Sequence, residues 1–431
     1  MPQDFFVVLS VAEVTRRLKT FAPLPAETAA LEDPRGLEGR VLAADVTARD
    51  DVPLTNRSGM DGYAVQAADV FGASEGNPVY LTRVGRIAVD RPADFSLEPG
   101  QCAAIVTGGS LPDGADAVVM VEHTLELAAG QADAGPVAGQ GETLVEIRRP
   151  VAPGAHVLRR GDDARRSCPA LRAGTPLRPQ EIGLLAACGA QEVTVRARPR
   201  VGILSTGDEV IPVSADPRPG QVRDVNSHAL AAICREAGAE PRLLGIVPDD
   251  LEAIAAALRK HLAQVDVLLL SGGSSVGARD FTIAALERLP GAEIFCHGVA
   301  LSPGKPLILA RVGDKCVWGL PGQVASAQVV MFVLGAPFLR HLAGRANAFD
   351  QRLRPARKAV LSRNMASKQG REDYLRVRLE APATDRDLPL AVPVPGLSGL
   401  LRTLLDAQGL VRIDANLEGL EEGSVVDVLL L

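Results

Sequence analysis

The sequence predicts a multidomain protein of the α/β plus β class, built around a doubly wound α/β domain. Three observations predict it. From Val201 to Leu320, short apolar runs alternate with segments that are apolar at helical spacing, the pattern of strands joined by crossover helices. On either side of this region, apolar residues alternate in short stretches broken by Gly, Pro and Asp, which is β-rich patterning. Finally, 431 residues exceed what one ordinary core accommodates, so two to four domains are expected.

Taken in order, Ser10-x-x-Glu13 reads as a capping box opening a helix from Ser10 to Phe21, and a second short helix is expected from Pro25 to Leu31. Tyr80 to Val84 and Ala103 to Val106 read as strands, and residues 128–142, Ala/Gly-rich and aperiodic, as a loop. Extended structure then carries Arg148, Arg149, Arg159, Arg160, Arg165 and Arg166 before a helix starts at Pro179-Gln180-Glu181. Strands are expected at Val201 to Leu204, Leu243 to Val247 and Val265 to Leu270. Leu230, Ile233, Cys234 and Ala237 mark one helix, and Leu251, Ile254, Ala255 and Leu258 another. A helix from Phe281 to Leu289 leads to strands near Glu293 to Val299, Leu307 to Ala310 and Cys316 to Leu320, then to a long helix, Gln323 to Leu342. Alternation at Tyr374 to Leu379, a Pro-rich stretch from Pro382 to Pro395 and a last strand at Val425 to Leu429 indicate a small all-β module. The expected division is a helical and extended linker (1–50 with 145–178), a β-rich domain (51–144), the α/β domain (179–346) and a C-terminal β domain (347–431).

Composition excludes several functions. A formal charge of −6 and a pI near 5.7 provide no basic field for nucleic acid, and 3 % aromatic residues leave little for base-stacking sheets. The six cysteines form no Cys-x-x-Cys pair and no zinc-spaced set with histidine, so they read as reduced, mostly buried thiols. Asp4, and no basic residue, precedes the apolar stretch Phe5 to Leu9, and no apolar run is expected to be long enough to span a bilayer. A cytoplasmic location is expected, with no membrane or nucleic-acid partner. No nucleophile elbow with a Ser/His/Asp order is visible, which disfavours hydrolysis through a covalent serine.

The candidate chemistry sits at strand-to-helix junctions. Ser271-Gly272-Gly273-Ser274-Ser275-Val276-Gly277, with Asp280 expected just before the next helix, has the layout of an anion-binding turn; an ordinary β–α connection explains the glycines equally well. Ser205-Thr206-Gly207-Asp208-Glu209 is a second such turn, placed where an open α/β sheet has its ligand crevice. Asp208, Glu209, Asp249, Asp250 and Asp280 would repel one another unless a cation intervenes, which predicts a hard divalent ion, magnesium above all. For Asp249 and Asp250, helix capping remains an equal alternative. Pro303-Gly304-Lys305-Pro306 is a rigid turn with one cation, and Gly319-Leu320-Pro321-Gly322 leads into the long helix, whose first amide groups would be free for an anion. Asn56 to Val65 and Thr107 to Asp116 gather polar residues around glycines in the β-rich region.

In this order, the segments Asn56 to Val65, Thr107 to Val119, Val201 to Val210, Asp224-Val225-Asn226, Ser271 to Asp280, Pro303 to Pro306 and Gly319 to Ala327 resemble the MoeA family, the molybdopterin molybdenumtransferases that include the gephyrin E domain. The resemblance implies an elongated homodimer of four-part protomers: a helical and extended linker part, a β-rich domain, an α/β molybdopterin-binding domain and a C-terminal β-barrel-like domain. It implies insertion of molybdate into adenylylated molybdopterin with release of AMP, and Asp61, Thr107, Glu209, Asp249, Asp280, Lys305 and Ser398 at functional positions. Glu209, Asp249 and Asp280 would handle magnesium or molybdate. Ser205, Thr206, Gly207, Asp208, Asn226, Ser271, Gly272, Gly273, Ser274, Ser275, Gly277, Pro303, Gly304, Pro321 and Gly322 would bind the pterin substrate, residues 271 to 277 its phosphate. Asp61 and Thr107 would come from the partner protomer, and molybdenum-enzyme apoproteins or other cofactor-biosynthesis proteins would be further partners. Gly298, Ser302, Gln323, Val324 and Leu397 depart from the family's usual residues. A non-catalytic molybdopterin carrier or scaffold, or a molybdopterin adenylyltransferase, are the competing readings.

Overall fold

The computed structural model describes residues 8–33, 36–127, 143–272, 276–381 and 388–431, with 276–280 described through the backbone alone. Within the α/β domain we label β1 (Arg200–Thr206), α1 (Asn226–Glu236), β2 (Glu240–Val247), α2 (Leu251–Leu262), β3 (Val267–Gly272), α3 (Val276–Glu287), β4 (Ala292–His297), β5 (Ile308–Val312), β6 (Lys315–Leu320) and α4 (Val324–Leu342). The sheet order is β2-β1-β3-β6-β5-β4. β1 is parallel to β2 and β3, and β3 to β6, as strand–helix alternation requires. β5 departs from that expectation and runs antiparallel to both neighbours, because no helix intervenes between β4, β5 and β6 to return the chain.

Both faces of the sheet are covered. Val267 and Leu269 of β3, with Cys316 and Trp318 of β6, pack toward α1 and α4, while Leu268, Leu270 and Val317 pack toward α2 and α3. This is why these strands read as continuous apolar runs. α4 is long and apolar enough to cross a bilayer by composition, contrary to the expectation that no such run exists, but 78 % of it is buried inside the protein, where it walls the sheet. A π turn, Met331–Gly335, interrupts it.

The N-terminal helix Val11–Leu18 has the expected capping box: Ser10 accepts from the Glu13 amide, and Glu13 accepts from the Ser10 amide at 2.9 Å. Val14 and Leu18 are fully buried in the α/β core, so this helix belongs to that core rather than to a separate linker. The short helix expected from Pro25 to Leu31 is instead a strand, Ala26–Ala30, antiparallel to Glu192–Arg196. Pairing with a Val-Thr-Val ladder overrides the helix propensity of an alanine-rich segment.

In the β-rich region six strands follow the order Ala117–Met120, Gly62–Val65, Gln101–Ile105, Val79–Arg86, Leu144–Ile147 and Thr124–Leu127. Leu144–Ile147 therefore belongs to this sheet, not to the linker segment expected to begin at 145. The expected loop over 128–142 lies outside the described residues. All six cysteines are free thiols, and all but Cys168 are buried.

At the C-terminus, Glu372–Glu380 pairs with both Leu390–Pro393 and Gly409–Ile413, closing a five-strand barrel with Ala356–Leu361 and Val425–Leu430. Two links hold the barrel against the α/β domain. Leu301–Ser302 adds in parallel to Glu372 and Asp373, and the Ala325 amide at the start of α4 donates to the Ser398 carbonyl at 2.9 Å. Part of the barrel residues Tyr374, Leu410 and Leu429 also joins the α/β core cluster.

Candidate active site

From β1 the chain crosses to β2 on one side and then to β3 on the other, so the crevice of this sheet opens at the C-terminal ends of β1 and β3. Thr206 and Gly272 are register partners at that point. Gly272 has φ 150°, and a Cβ there would fall 1.9 Å from the Thr206 carbonyl oxygen, so no side chain fits without separating the strand ends. The surrounding polar atoms are under-satisfied. Among the described residues Ser271 Oγ is buried with no partner, and Asn226 donates from Nδ2 to the Gly322 carbonyl at 2.9 Å while its buried Oδ1 has none. Ser205 does not face a ligand in this way: its hydroxyl donates to Asp224 at 2.8 Å, and Asp224 accepts from the Ser227 amide at the start of α1.

The two aspartates after β2 have different tasks. Asp250 caps α2, accepting from the Ala253 amide at 2.9 Å. Asp249 caps nothing among the described residues; its amide donates to the Asp208 carboxylate at 3.2 Å, and its own Oδ1 is buried without a partner among them. Burial, then the neighbouring Glu209 and Asp208 charges, push its carboxyl above the usual range against a hydrogen bond with Thr206. Such a group welcomes a cation. Among the described residues, no cluster of three or more His, Cys, Asp and Glu side chains is arranged to hold a metal ion. Asp280, the third expected ligand, lies in the second turn of α3 rather than ahead of it, because the helix already starts at Val276. Its side chain lies outside the described residues, as do Gly273, Ser274 and Ser275 of the turn, while Gly277 falls in the first turn of α3.

Beside this acidic edge, a cleft of 340 Å³ runs between the α/β domain and the barrel. It brings together Thr206 and Gly272 with Pro303, Gly304 and Lys305, and it also receives Pro321, Gly322 and Ser398. Gly304 is fixed by packing: at φ 133°, a Cβ would meet Val330 Cγ2 at 2.5 Å and Leu301 Cδ2 at 2.6 Å. Lys305 projects from this rigid turn as an exposed cation with no carboxylate partner among the described residues.

A profile of the MoeA N-terminal region (domain I and II) matches residues 9–189, one of a probable molybdopterin binding domain matches 202–341, and one of the MoeA C-terminal region (domain IV) matches 358–431. The molybdopterin molybdenumtransferase of Bacillus subtilis (strain 168) is 32 % identical over 426 residues, spanning 98 % of this chain and 94 % of that one. The chain belongs to the MoeA family. A molybdopterin molybdenumtransferase of Nostoc sp. (strain PCC 7120) is 37 % identical over 315 residues, 72 % of this chain and 69 % of its own. The solved molybdopterin biosynthesis MoeA protein from Pyrococcus horikoshii OT3 superposes with a TM-score of 0.74 at 27 % identity, covering 98 % of this chain and all of the other.

Within this MoeA chain, sequence reasoning missed Arg371, which lines the cleft from the barrel and pairs with Asp373 at 3.1 Å. It precedes the alternating strand by one residue, and nothing in its spacing marks it; the parallel bridge from Leu301–Ser302 to Glu372 and Asp373 brings it there. Thr282, Gln323 and Ser326 also line the cleft. The amides at the start of α4 are not all free for an anion as expected, because Ser398 occupies that of Ala325. Asp61 and Thr107 do not line the cleft of their own chain. They pair with each other: Asp61 Oδ1 accepts from the Thr107 amide at 2.6 Å and hydroxyl at 2.9 Å, which holds the Asp61 carboxyl below the ordinary range.

Proposed function

We propose that this chain is a molybdopterin molybdenumtransferase that inserts molybdate into adenylylated molybdopterin and releases AMP, working as a cytoplasmic homodimer. The observation that carries the reading is a cleft lined by the cations Lys305 and Arg371, next to an acidic group at Asp208, Glu209 and Asp249. Thr206 joins the two, bonding Asp249 on one side and lining the cleft on the other. The curated relatives named for this transfer support the same activity.

The obstacle in the reaction is repulsion between a pyrophosphate and an oxoanion. Lys305, on its packed turn, and Arg371 offset that charge where the two anions meet, without moving. The hydroxyls of Ser271 and Thr206, with Asn226, orient the pterin phosphate at the switch point of the sheet. The donor set suits magnesium: Asp249 has a buried oxygen without a partner and Glu209 stands beside it, so these two, with Asp280, would hold the ion. Bound there, it supplies positive charge that polarises the phosphoryl group. Asp61 and Thr107 would complete the cleft from a second copy, Asp61 kept ionised by its two donors. Attack by water or a molybdate oxygen breaks the pyrophosphate bond and AMP leaves; at unchanged oxidation state two Mo–S bonds replace Mo–O bonds, and the dithiolene thiol protons depart with the displaced oxygens as water.

The test combines purified protein, adenylylated molybdopterin and magnesium, with and without molybdate, and follows AMP and active cofactor. AMP release that needs the oxoanion supports insertion. Tight pterin binding with no release would instead make the protein a carrier, and formation of the adenylylated pterin from ATP an adenylyltransferase.

A further inference from the structure

Away from the cleft, three arginines converge with no salt bridge to a carboxylate among the described residues. Arg340 near the end of α4, Arg345 in the following turn and Arg354 in the connector to the barrel strand Ala356–Leu361 line a cavity of 530 Å³, which Gly174 and Pro176 also border. Arg354 is held firmly: its Nη2 donates at 2.8 Å to the Val333 carbonyl in the π turn of α4, and its guanidinium lies 5.3 Å from the centre of the Phe332 ring. Its Nη1 is buried with no hydrogen-bond partner among the described residues. Asp350 is the one carboxylate among the lining residues, and Arg352 takes it with two hydrogen bonds of 3.0 and 2.8 Å that bring it down to about 2.

Burial lowers the affinity of Arg340 and Arg354 for their protons, and repulsion adds to it, from Arg345 on Arg340 and from Arg340 on Arg354; Glu236 and Tyr374 oppose it. Partly buried, mutually repelling guanidinium groups with an orphan donor cost folding free energy unless an anion joins them. We propose that this cavity binds a small phosphorylated molecule through its phosphate or pyrophosphate group, held by Arg340, Arg345 and Arg354. Guanidinium forks match phosphate oxygens two at a time, three cations call for a polyanion, and the volume leaves room for an organic moiety beside it. Because Arg340 stands on the α/β domain and Arg354 on the way into the barrel, the occupant bridges the two parts that enclose the cleft.

The inference is independent of the proposed transferase activity, and calorimetric titration with inorganic pyrophosphate tests it. The full chain carrying Lys305→Ala and Arg371→Ala, which disables the cleft, retains pyrophosphate binding, whereas adding Arg345→Gln or Arg340→Gln weakens it about ten-fold or more. Arg345 is exposed, so its replacement leaves the fold intact. In anion-free buffer, Arg345→Gln melts at or above the parent temperature, since it relieves repulsion; a purely structural arginine would give a lower Tm. Equal affinity in the arginine variants, loss of binding in the cleft variant, or a lower Tm for Arg345→Gln without anion overturns the proposal. So does Arg345→Gln changing self-association while pyrophosphate affinity stays constant, which would mean that the cavity takes a carboxylate of a second copy.

Discussion

The cationic edge of the cleft and the acidic edge next to it are built differently. The acidic edge comes wholly from the α/β domain, at the ends of β1 and β2, where each carboxylate is placed by a strand terminus. The cationic edge is composite: Lys305 comes from a turn of the α/β domain and Arg371 from the barrel, with the Leu301–Ser302 bridge setting their relation. One edge stores unfavourable charge in a rigid scaffold, as the raised Asp249 carboxyl and its orphan oxygen show. The other depends on two domains staying docked. Charge that must be neutralised on binding is thus placed by the strand ends of one domain, and the neutralising groups are shared between two.

Substitutions at the acidic edge break this comparison most severely. Asp249→Asn is expected to lower turnover by about 10³-fold while leaving pterin binding nearly unchanged, because it removes charge the reaction needs rather than a ground-state contact. Lys305→Ala and Arg371→Ala should each cost about 10²-fold at low molybdate, read as a rise in the oxoanion KM. Gly272→Ala, measured by urea unfolding, should destabilise the chain by about 2–3 kcal/mol, since its Cβ overlaps the Thr206 carbonyl. Asp250→Ala should cost only about 1 kcal/mol, the value of a helix cap, with turnover retained; a large activity loss there would erase the distinction between the two aspartates.

A subtler test uses pH. The folded-state pKa of Asp249 lies above its ordinary value of 3.8, so its contribution to stability is present below that value and disappears as pH rises through the folded pKa. Without divalent cations at pH 7, Asp249→Asn should therefore melt at a higher temperature than the parent, with the gap closing near pH 4 and on addition of magnesium. A lower Tm for the variant at pH 7 would show that the Thr206 hydrogen bond outweighs burial and the neighbouring charges.

Periodicity and turn residues made the α/β layer legible, because apolar runs between glycine-rich turns admit few other folds. The Ala26–Ala30 strand was not legible, since its conformation is set by a partner strand 162 to 170 residues away, from the pair Ala30 and Glu192 to the pair Ala26 and Arg196. Asp249 and Asp250 could not be separated by sequence either: which of two adjacent aspartates caps a helix is decided by where the helix begins, and that is fixed by packing of Ile254 and Leu258. Arg371 was invisible for a third reason. A residue brought to a site by docking of two domains carries no local pattern.

If the acidic and cationic edges act on two anions together, single-turnover release of AMP from adenylylated molybdopterin requires molybdate in the parent chain and, at low molybdate, is nearly abolished by either Asp249→Asn or Lys305→Ala. Release at the parental rate from either variant, or release indifferent to molybdate, would contradict that joint action.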